Sequence, residues 1–508
     1  MHISIVGTGY VGLVTGTCLA DFGLKVTCVD KDDNKIKLLN SGKVPIYEQN
    51  LENMISKNIS AGRLNFSTNF KQAVQQSQVI FIAVGTPSND DGSADLSQVE
   101  EVAKEIGNYI NEYKVIVNKC TVPVGTARKI KQIIKNSHHK PPSNGHYEEH
   151  PSSGHCEERS DKAISNNINP GDLSAYHPCQ DSLSSHCSSS TYPSPLREDS
   201  PHNPSPLRGE GRVRVKHPFD IISNPEFLRE GSAVYDFTHP DKIVIGYETE
   251  KAKRIMQEIY RPLYLLDTPF VFTNLETAEM IKYACNAFLA TKITFINEIA
   301  NLCDRVGADV HQVAKAMGMD GRISPKFLHP GPGYGGSCFP KDTRALHAIA
   351  SEYNYDFKLI KAVIAANSRQ RGIVVDKIEK SLIDLKDKTI GILGLAFKQN
   401  TDDIRESAAI DIIKILLQKG TQIRCFDPMA VENTKKILLN LVFCSDEYET
   451  ARGSDALVIL TEWNQFRNLD LNRLKSIMNK LIIIDTKNLY EPCKVKELGF
   501  KYIGMGRN

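Results

Sequence analysis

Residues 2–30 read HISIVGTGYVGLVTGTCLADFGLKVTCVD, in which two short apolar runs flank a glycine turn and a helical segment. The pattern predicts two strands and a helix, at His2–Val6, Lys25–Val29 and Leu13–Phe22. Gly7, Gly9 and Gly12 form a G-x-G-x-x-G motif after the first strand, and Asp30 closes the second strand. A motif in this context, with an acid about 20 residues further on, predicts a dinucleotide-binding βαβ unit.

The glycine turn suits the pyrophosphate of a dinucleotide, because glycine permits close approach of a ligand to the backbone. The helix that follows presents unpaired N–H groups to an anion, and Val11 lies in the same turn. Asp30 would accept a hydrogen bond from the ribose 2′-hydroxyl and repel a 2′-phosphate, which favours NAD over NADP. Lys35 would lie near this ribose, or is an ordinary solvated lysine.

Two further strand patterns end close to threonines. Val79 to Val84 leads to Thr86, and Val115 to Asn118 leads to Thr121. Ligands bind at the carboxyl ends of strands in open parallel sheets, so both threonines are predicted to meet the cofactor. A threonine at this position is also a common helix cap.

A glycine-dense stretch near residue 335 displays a cysteine. Residues 331–342 read GPGYGGSCFPKD, with Cys338 followed by Lys341 and Asp342. A reactive cysteine needs nearby positive charge and open access, and Lys341 would supply the charge. The alternative is a Gly/Pro turn with a buried, inert cysteine.

Composition narrows the class of ligand and the compartment. A chain of 508 residues is long enough for two or three domains. A net charge of +2 gives no basic field for nucleic acid, so we expect a small-molecule partner. The 12 cysteines form no C-x-x-C pair and the chain starts on a strand, which indicates a reduced, cytoplasmic protein. No apolar run approaches the ~18–20 residues of a membrane-spanning helix.

The second half repeats the α/β pattern. Four strands are predicted, at Thr389–Leu393, Ile423–Phe426, Ala456–Leu460 and Leu481–Ile484. Between the halves, Thr277 to Val306 is a long apolar-periodic stretch that predicts a spine helix and a dimer surface. The predicted fold is α/β, with two Rossmann-like, doubly wound parallel-sheet domains joined by a central helical domain.

Residues 137–216 interrupt this order. They hold ten of the 24 prolines, serine runs and no Phe or Trp, so they cannot form a core. Pro193–Arg197 recurs as Pro204–Arg208, which indicates an inserted, disordered element. The spacing of His155-Cys156, Cys179 and His186-Cys187 fits no zinc pattern, and no metal site is predicted. The insertion precedes the predicted strand that leads to Glu226, which is a candidate active-site residue. If the fold did not accommodate the insertion, the active site would therefore be damaged.

Several motifs in order give the chain a resemblance to a known family. They are GTGYVG, TVPVGT, NPEFLREG, EMIKYACNAFLA, GYGGSCFPKD, GLAFK and DIRES. The chain resembles the nucleotide-sugar dehydrogenases of the UDP-glucose/GDP-mannose dehydrogenase family, over all but residues near 137–216. The resemblance implies five segments: an NAD-binding domain at 1–136 and 217–274, the insertion at 137–216, a central helical domain at 275–380 and a UDP-sugar-binding domain at 381–508.

The implied reaction is NAD-dependent, four-electron oxidation of UDP-glucose to UDP-glucuronate through a thiohemiacetal and a thioester on Cys338. A sibling specificity, for UDP-N-acetylmannosamine or GDP-mannose, stays open because no residue identifies the sugar. So does a sugar-nucleotide-binding protein whose catalysis the insertion has abolished. A 3-hydroxyacid-type dehydrogenase explains neither Cys338 nor the second α/β half.

The resemblance also assigns catalytic roles. Lys282 would stabilise the oxyanion, with Asn286 one helical turn further on. Asp342 would assist the active-site water or proton transfer, while Glu226 would hold a water together with Thr121.

The remaining contacts are implied in two sets. The cofactor set is Gly7, Gly9, Val11, Gly12, Asp30, Lys35, Thr86, Thr121, Lys341 and Arg405. The substrate set is Glu226, Phe227, Leu228, Arg229, Glu230, Lys282, Asn286, Arg322, Phe327, Leu328, His329, Pro330, Gly331, Gly335, Lys398 and Lys487. Arg322 would reach into the partner subunit's site of a homodimer. Lys487 stands where the family often has the arginine of D-G-R. Lysine keeps the positive charge but lacks the bidentate geometry of a guanidinium, so binding on the uridine side is less certain.

Overall fold

The computed structural model describes residues 1–138 and 219–507. Most of the predicted insertion at 137–216 lies outside the described residues, and so do its His155-Cys156, Cys179 and His186-Cys187. The helix Thr126–His138 extends two residues into the segment predicted as the insertion.

Eight strands among the described residues form the first sheet. They are β1 (His2–Val6), β2 (Lys25–Val29), β3 (Leu64–Ser67), β4 (Val79–Ile82), β5 (Lys114–Asn118), β6 (Phe219–Ser223), β7 (Ile243–Tyr247) and β8 (Phe270–Thr273). Their order is β3-β2-β1-β4-β5-β6-β7-β8. Neighbouring strands are parallel except β6 and β7, which pair antiparallel. The order reverses beside β1, which is where a doubly wound sheet opens a crevice for a ligand.

Helices cover both faces of this sheet. They are α1 (Tyr10–Asp21), α2 (Asp33–Asn40), α3 (Leu51–Ser60), α4 (Phe70–Gln76), α5 (Ser97–Tyr109), α6 (Thr126–His138), α7 (Ala233–Thr238), α8 (Glu250–Ile259) and α9 (Arg261–Tyr264). Along β4, Val79 and Phe81 join one buried cluster while Ile80 and Ile82 join the other. Alternate side chains of a strand point to opposite faces, so a continuous apolar run is the signature of a sheet that is buried on both sides.

The central helices are α10 (Leu275–Val306), α11 (Val310–Met319), α12 (Phe339–Glu352) and α13 (Lys358–Leu382). The longest, α10, begins at an Asn274 cap whose side chain accepts from the Thr277 N–H, and ends at Gly307 with φ of 74°. Its 32 residues make it the predicted spine helix, and it packs against both α12 and α13. In the part of the chain that the structure describes, no helix is long and apolar enough to cross a membrane.

A second sheet of six parallel strands is formed by the C-terminal part. Its strands are β9 (Thr389–Leu393), β10 (Gln422–Phe426), β11 (Val442–Phe443), β12 (Ala456–Ile459), β13 (Ile482–Asp485) and β14 (Lys501–Gly504), in the order β11-β10-β9-β12-β13-β14. The accompanying helices are α14 (Ala408–Gln418), α15 (Val431–Lys435), α16 (Glu447–Ala451), α17 (Leu471–Ile477) and α18 (Pro492–Glu497), with a 3₁₀ turn at Asn464–Asn468. The predicted class of two parallel-sheet domains around a helical centre is therefore confirmed.

Element ends differ from the predictions by a few residues. The first helix begins at Tyr10 instead of Leu13, because the second half of the glycine motif already has helical geometry. The strand predicted at Leu481–Ile484 is displaced by one residue, so Asp485 closes it. Such shifts follow from the weak local signals at element ends.

Candidate active site

The glycine turn between β1 and α1 leaves backbone open for a ligand. Gly7 has φ of +99°, and a Cβ at Gly12 would lie 2.0 Å from the carbonyl oxygen of Gly7. A Cβ at Gly9 would meet nothing within 4 Å, so space lies above the N-terminus of α1. This arrangement fits a pyrophosphate, because the first N–H groups of a helix have no intrahelical partner.

Asp30 lies beside this turn, at the carboxyl end of β2. Its Oδ2 accepts from the Thr8 N–H at 2.9 Å and the Thr8 Oγ1 at 2.7 Å, and Lys35 Nζ lies 3.3 Å away. Burial alone would raise the pKa of Asp30, but the hydrogen bonds and Lys35 outweigh it and lower that pKa. Asp30 is therefore an ionised acceptor, as a ribose hydroxyl requires, and the turn fits NAD.

Cys338 caps the N-terminus of α12 and is half-buried. The chain before it runs close to the C-terminal domain: a Cβ at Gly335 would lie 2.3 Å from the Glu406 carbonyl oxygen, and one at Gly336 would lie 2.7 Å from the Phe397 ring. Only glycine fits these two approaches. The glycine density noted in the sequence thus packs Cys338 against the second α/β domain.

The charge that favours a Cys338 thiolate comes from Lys282. Burial raises the pKa of the Cys338 thiol, Lys282 opposes this shift, and the carboxylates of Glu226 and Asp342 add to it. Lys341, for which the sequence suggested this role, is paired with Asp342 at 2.7 Å. A thiol with a raised pKa is protonated at neutral pH, so a nucleophilic role for Cys338 would require a base that takes its proton.

Lys282 and Glu226 form a buried ion pair. Lys282 Nζ donates to Glu226 Oε1 at 2.8 Å and to the Glu226 carbonyl oxygen at 2.7 Å, while the Leu228 N–H donates to Glu226 Oε2 at 2.6 Å. Burial would raise the pKa of Glu226, but Lys282, the Leu228 N–H and Lys119 lower it. Burial would lower the pKa of Lys282, but Glu226, Cys338 and Asp342 raise it. Both groups are charged at neutral pH.

A second buried carboxylate, Asp342, lies one helical turn from Cys338 along α12. Its Oδ2 accepts from Asn286 Nδ2 at 2.6 Å and its Oδ1 accepts from Lys341 Nζ at 2.7 Å. Helix α10 therefore presents Lys282 and Asn286, spaced by one turn, to the carboxylates of two different segments. The predicted group of Cys338, Lys282, Asn286, Glu226 and Asp342 is one contiguous cluster.

Glu230 joins this cluster to the C-terminal domain. Its carboxylate accepts from Ser337 Oγ at 2.9 Å and from Arg405 Nη2 at 3.2 Å. Burial and the nearby Asp403 raise the pKa of Glu230 to about 7. The predicted cofactor residue Arg405 and the predicted substrate residue Glu230 therefore meet beside Ser337, the residue before Cys338.

The C-terminal domain carries the two lysines of the predicted substrate set, Lys487 and Lys398. Lys487 pairs with Glu462 at 2.8 Å, and its Nζ lies 3.6 Å from where a Cβ at Gly331 would be. Burial lowers the pKa of Lys398, on which Glu230 and Glu462 act in the opposite direction. Glu462 was not predicted from the sequence, although it is the buried counter-charge of Lys487.

The other predicted residues lie around this group at different degrees of exposure. Thr86 Oγ1 donates to the Thr121 carbonyl oxygen at 2.9 Å, so the two threonines are adjacent. Phe227 lies under Lys282, whose Nζ is 5.4 Å from the ring centroid. Phe327 contacts Phe339 edge-on. Leu328 and Pro330 are buried, Leu228 and Val11 are half-buried, and His329 is exposed.

Two predicted substrate residues point elsewhere within this chain. Arg229 binds Asp236, and Arg322 has a side chain that is 90% exposed and binds Asp320. The structure does not bring either of them to the cysteine.

Sequence reasoning missed several buried polar residues. Lys119 at the end of β5 donates to Asn224 Oδ1 at 3.2 Å, and burial lowers its pKa to about 8. Glu279 on α10 accepts from the N–H groups of Gly125 and Ala127 at 2.7 and 2.8 Å, and burial raises its pKa to about 7. Glu279 precedes Lys282 by three residues, and this spacing on one helix face was an available signal.

Sequence models of one protein family match three parts of the chain. The family is described as UDP-glucose/GDP-mannose dehydrogenase; its NAD binding domain matches residues 1–149 and 204–264, its central domain 276–369, and its UDP binding domain 391–492.

Individual relatives match over the whole chain. A UDP-glucose 6-dehydrogenase of Rhizobium meliloti is 42% identical, and the match covers 100% of both chains. The structure of a UDP-glucose dehydrogenase from Pyrobaculum islandicum superposes with a TM-score of 0.79 at 30% identity, over 100% of this chain and 98% of that one. A UDP-D-ManNAc dehydrogenase from Pyrococcus horikoshii has a TM-score of 0.75 at 24% identity, over 100% and 99% of the chains, and shares the fold.

Proposed function

This chain belongs to the UDP-glucose/GDP-mannose dehydrogenase family, and we propose that it oxidises UDP-glucose to UDP-glucuronate with two molecules of NAD. The single observation that carries the proposal is the cluster that the half-buried Cys338 forms with the buried Lys282, Glu226, Asn286 and Asp342. The names of relatives such as the 42% identical Rhizobium meliloti enzyme support UDP-glucose as the sugar.

The first oxidation removes a hydride and a proton from the primary alcohol of the sugar. When bound, NAD supplies the hydride acceptor for each of the two oxidations. Asp342, held by Asn286 and Lys341, is the candidate proton acceptor through a water. Lys282, charged and fixed by Glu226, faces the developing negative charge on the sugar oxygen.

Cys338 then keeps the aldehyde from escaping. Its sulfur bonds to the aldehyde carbon, the thiol proton leaves, and the carbonyl oxygen becomes the hydroxyl of a thiohemiacetal. Loss of a second hydride and a proton gives a thioester. Water attacks the thioester carbon, the C–S bond breaks, and the carboxylate and the free thiol are released. Glu226 and Thr121 are the candidate positions for holding that water.

The test is the number of NADH molecules formed per UDP-glucose consumed by the purified full-length protein. UDP-N-acetylmannosamine and GDP-mannose are run beside it. We expect a ratio near two with UDP-glucose. A ratio near one would contradict the thioester route, and turnover with only one of the other sugars would move the proposal to that sibling specificity. Binding of the sugar nucleotide without formation of NADH would favour the alternative of a sugar-nucleotide-binding protein that has lost catalysis.

We also propose that the chain is a homodimer, with the cytoplasm as its compartment. Phe288, Phe295 and Leu302 repeat every seven residues along α10 and are 65%, 49% and 53% exposed. A stripe of large apolar side chains at this spacing is a typical helix-pairing surface. Arg322 is exposed beside the end of α11, as an arginine that reaches a partner subunit requires.

A further inference from the structure

The segment Gly331–Ser337, here called the glycine loop, is held at two points by amide side chains. At each point both the N–H and the C=O of one loop residue have a side-chain partner. The two points are Gly331 and Tyr334. They lie three positions apart in the sequence, and Cys338 lies four positions after the second.

Side chains from two helices form hydrogen bonds with the backbone of Gly331. Its N–H donates to Asn297 Oδ1 on α10 at 2.8 Å, and its carbonyl oxygen accepts from Gln370 Nε2 on α13 at 2.9 Å. Asn301 Nδ2 donates to Gln370 Oε1 at 2.9 Å, which fixes the orientation of the Gln370 amide. The position of Gly331 therefore depends on the packing of α10 against α13.

One side-chain amide, that of Asn367, forms hydrogen bonds with both backbone groups of Tyr334. Its N–H donates to Asn367 Oδ1 at 2.8 Å, and its carbonyl oxygen accepts from Asn367 Nδ2 at 3.1 Å. Arg371 adds a donor to the same carbonyl oxygen at 3.4 Å. A Cβ at Gly333 would lie 2.9 Å from Asn367 Oδ1, so the loop lies directly on α13 at this point.

These amides are deeply buried, at 2% exposed for Asn297, 5% for Asn367 and 1% for Gln370. Buried polar groups gain little net stability over apolar side chains of similar shape, but they are costly when one partner is lost. Packing of α10 against α13 needs no amide, since Leu or Met would fill the same volume. What the amides provide is a unique position for a loop that has few side chains of its own to pack.

We propose that Asn297, Asn367 and Gln370 form an amide clamp that positions the glycine loop for the reaction. The three act through the loop backbone, so they are positioning residues. Asn367, which holds Tyr334 four positions before Cys338, governs the placement of the sulfur. Asn297 and Gln370, which hold Gly331, govern the placement of the substrate segment Phe327–Gly331. The inference rests on the proposed function.

Because the two attachment points act on different parts of the loop, we expect one variant to change mainly kcat and the other mainly KM. Asn367→Leu lowers kcat with UDP-glucose by about 10- to 100-fold, because a displaced reacting atom is costly even when the substrate binds. Gln370→Leu raises KM for UDP-glucose by about tenfold with a smaller change in kcat, the cost of a lost buried hydrogen bond. Both variants should change the Kd for NAD less than the kinetic constants for UDP-glucose, since neither residue contacts the Gly7–Gly12 turn.

The matched control is Ser368→Ala, one residue along α13, exposed and bonded only within its own helix among the described residues. We expect Ser368→Ala to retain wild-type kcat and KM. Asn367→Asp keeps the acceptor for the Tyr334 N–H and should recover part of the kcat that Asn367→Leu loses. A purely structural role would lower Tm in the Leu variants and leave kcat and KM of the folded fraction at wild-type values, which would overturn the clamp.

A second measurement tests the amide clamp without requiring catalytic turnover. The rate of Cys338 alkylation by iodoacetamide, followed by mass spectrometry of its peptide, should change at least several-fold in Asn367→Leu or Asn367→Asp and stay unchanged in Ser368→Ala. If UDP-glucose is not turned over by the wild type, the proposed function fails while this readout still tests the clamp. Equal alkylation rates in the wild type and both Asn367 variants would overturn the clamp while leaving the proposed function in place.

Discussion

Cys338, the proposed nucleophile, lies in an environment that does not hold it as a thiolate. Burial raises its pKa, and the two cations that oppose this shift are already paired, Lys282 with Glu226 and Arg405 with Asp403. A protonated resting thiol protects the enzyme from oxidation and alkylation between turnovers. Attack by Cys338 would therefore require removal of the thiol proton, for which the neighbouring carboxylates Glu226 and Asp342 are the candidates.

Cys338→Ser should abolish steady formation of two NADH per UDP-glucose, with a fall in turnover of about 10³-fold or more, because serine is a far weaker nucleophile than cysteine at neutral pH. The measurement is steady-state NADH formation, together with mass spectrometry for a trapped adduct. The Kd of UDP-glucose is the control and should stay within a few-fold of wild type. Unchanged steady oxidation would rule out the thioester route.

Lys282→Met should lower kcat by about 10²–10³-fold, the usual cost of removing one group that stabilises an oxyanion. The same change removes the main influence that lowers the pKa of the buried Glu226, so burial then raises that pKa. The acidic limb of the kcat/KM profile should therefore move to higher pH. Lys341→Met is the comparison, since Lys341 pairs with Asp342 and lies outside the Glu226 pair. An acidic limb that stays in place would contradict the assignment.

At the scale of elements, three side chains on one face of α10 form hydrogen bonds with three other segments of the chain. Glu279 caps α6, Lys282 holds Glu226, and Asn286 holds Asp342. Their spacing of three and four residues repeats the helical period, so one rigid helix presents the groups in a constant geometry. One of these three groups, Glu279, is a buried carboxylate that has no cation bonded to it among the residues that the structure describes.

Glu279→Gln tests this cap through pH-dependent stability. Burial raises the Glu279 pKa to about 7, so the folded protein holds the proton more tightly than the unfolded chain does. The stability contributed by protonated Glu279 is full below the unfolded pKa of about 4.5 and is lost as pH rises through about 7. Gln cannot titrate and loses one hydrogen bond at the helix N-terminus, worth about 1 kcal/mol.

The Tm of the wild type should therefore exceed that of Glu279→Gln by more at pH 5 than at pH 8. Calorimetry at both pH values measures this difference. Glu276→Gln, one turn earlier on the same helix and paired with Arg128, is the control and carries no comparable shift in that direction. A Tm difference that grew with pH would mean that the N-terminus of α6 stabilises the ionised form.

At the scale of the whole molecule, the site needs all three parts of the described chain. The first sheet supplies Glu226, the central helices supply Lys282 and Cys338, and the C-terminal domain supplies Arg405 and Lys487. Glu230 links these parts through Ser337 and Arg405. Because no single domain holds the cluster, domain separation is expected to abolish activity even if each domain folds.

The proposed dimer is tested by charge on the exposed stripe of α10. The double variant Phe288→Glu and Phe295→Glu should convert a dimer to a monomer in light scattering, since like charges at seven-residue spacing repel across a helix pair. Leu439→Glu, at a residue that is 85% exposed in the C-terminal domain, is the control and should leave the mass unchanged. A wild-type protein that runs as a monomer would contradict the proposal directly.

Local sequence patterns were sufficient for the fold class, whereas most candidate site residues came from the family resemblance and their roles stay predictions. The strand–glycine–helix order at residues 2–30, the apolar period of Thr277–Val306 and the glycine density at 331–336 each depend on neighbours within a few residues. Such patterns survive in the folded chain because secondary structure has short, regular periods. Element ends were less well predicted, as α1 shows by beginning at Tyr10.

Contacts between distant segments depended on the packed chain. Sequence proximity favoured Lys341 as the charge beside Cys338, whereas packing brings Lys282, 56 positions from its partner Glu226, to the thiol and pairs Lys341 with Asp342. Asn297, Asn367 and Gln370 look like ordinary helix residues until α10 and α13 close on the glycine loop. Residue types and periods are local properties of a chain, but burial and pairing arise only when topology brings remote segments together, and these set the protonation of the site and the position of its sulfur.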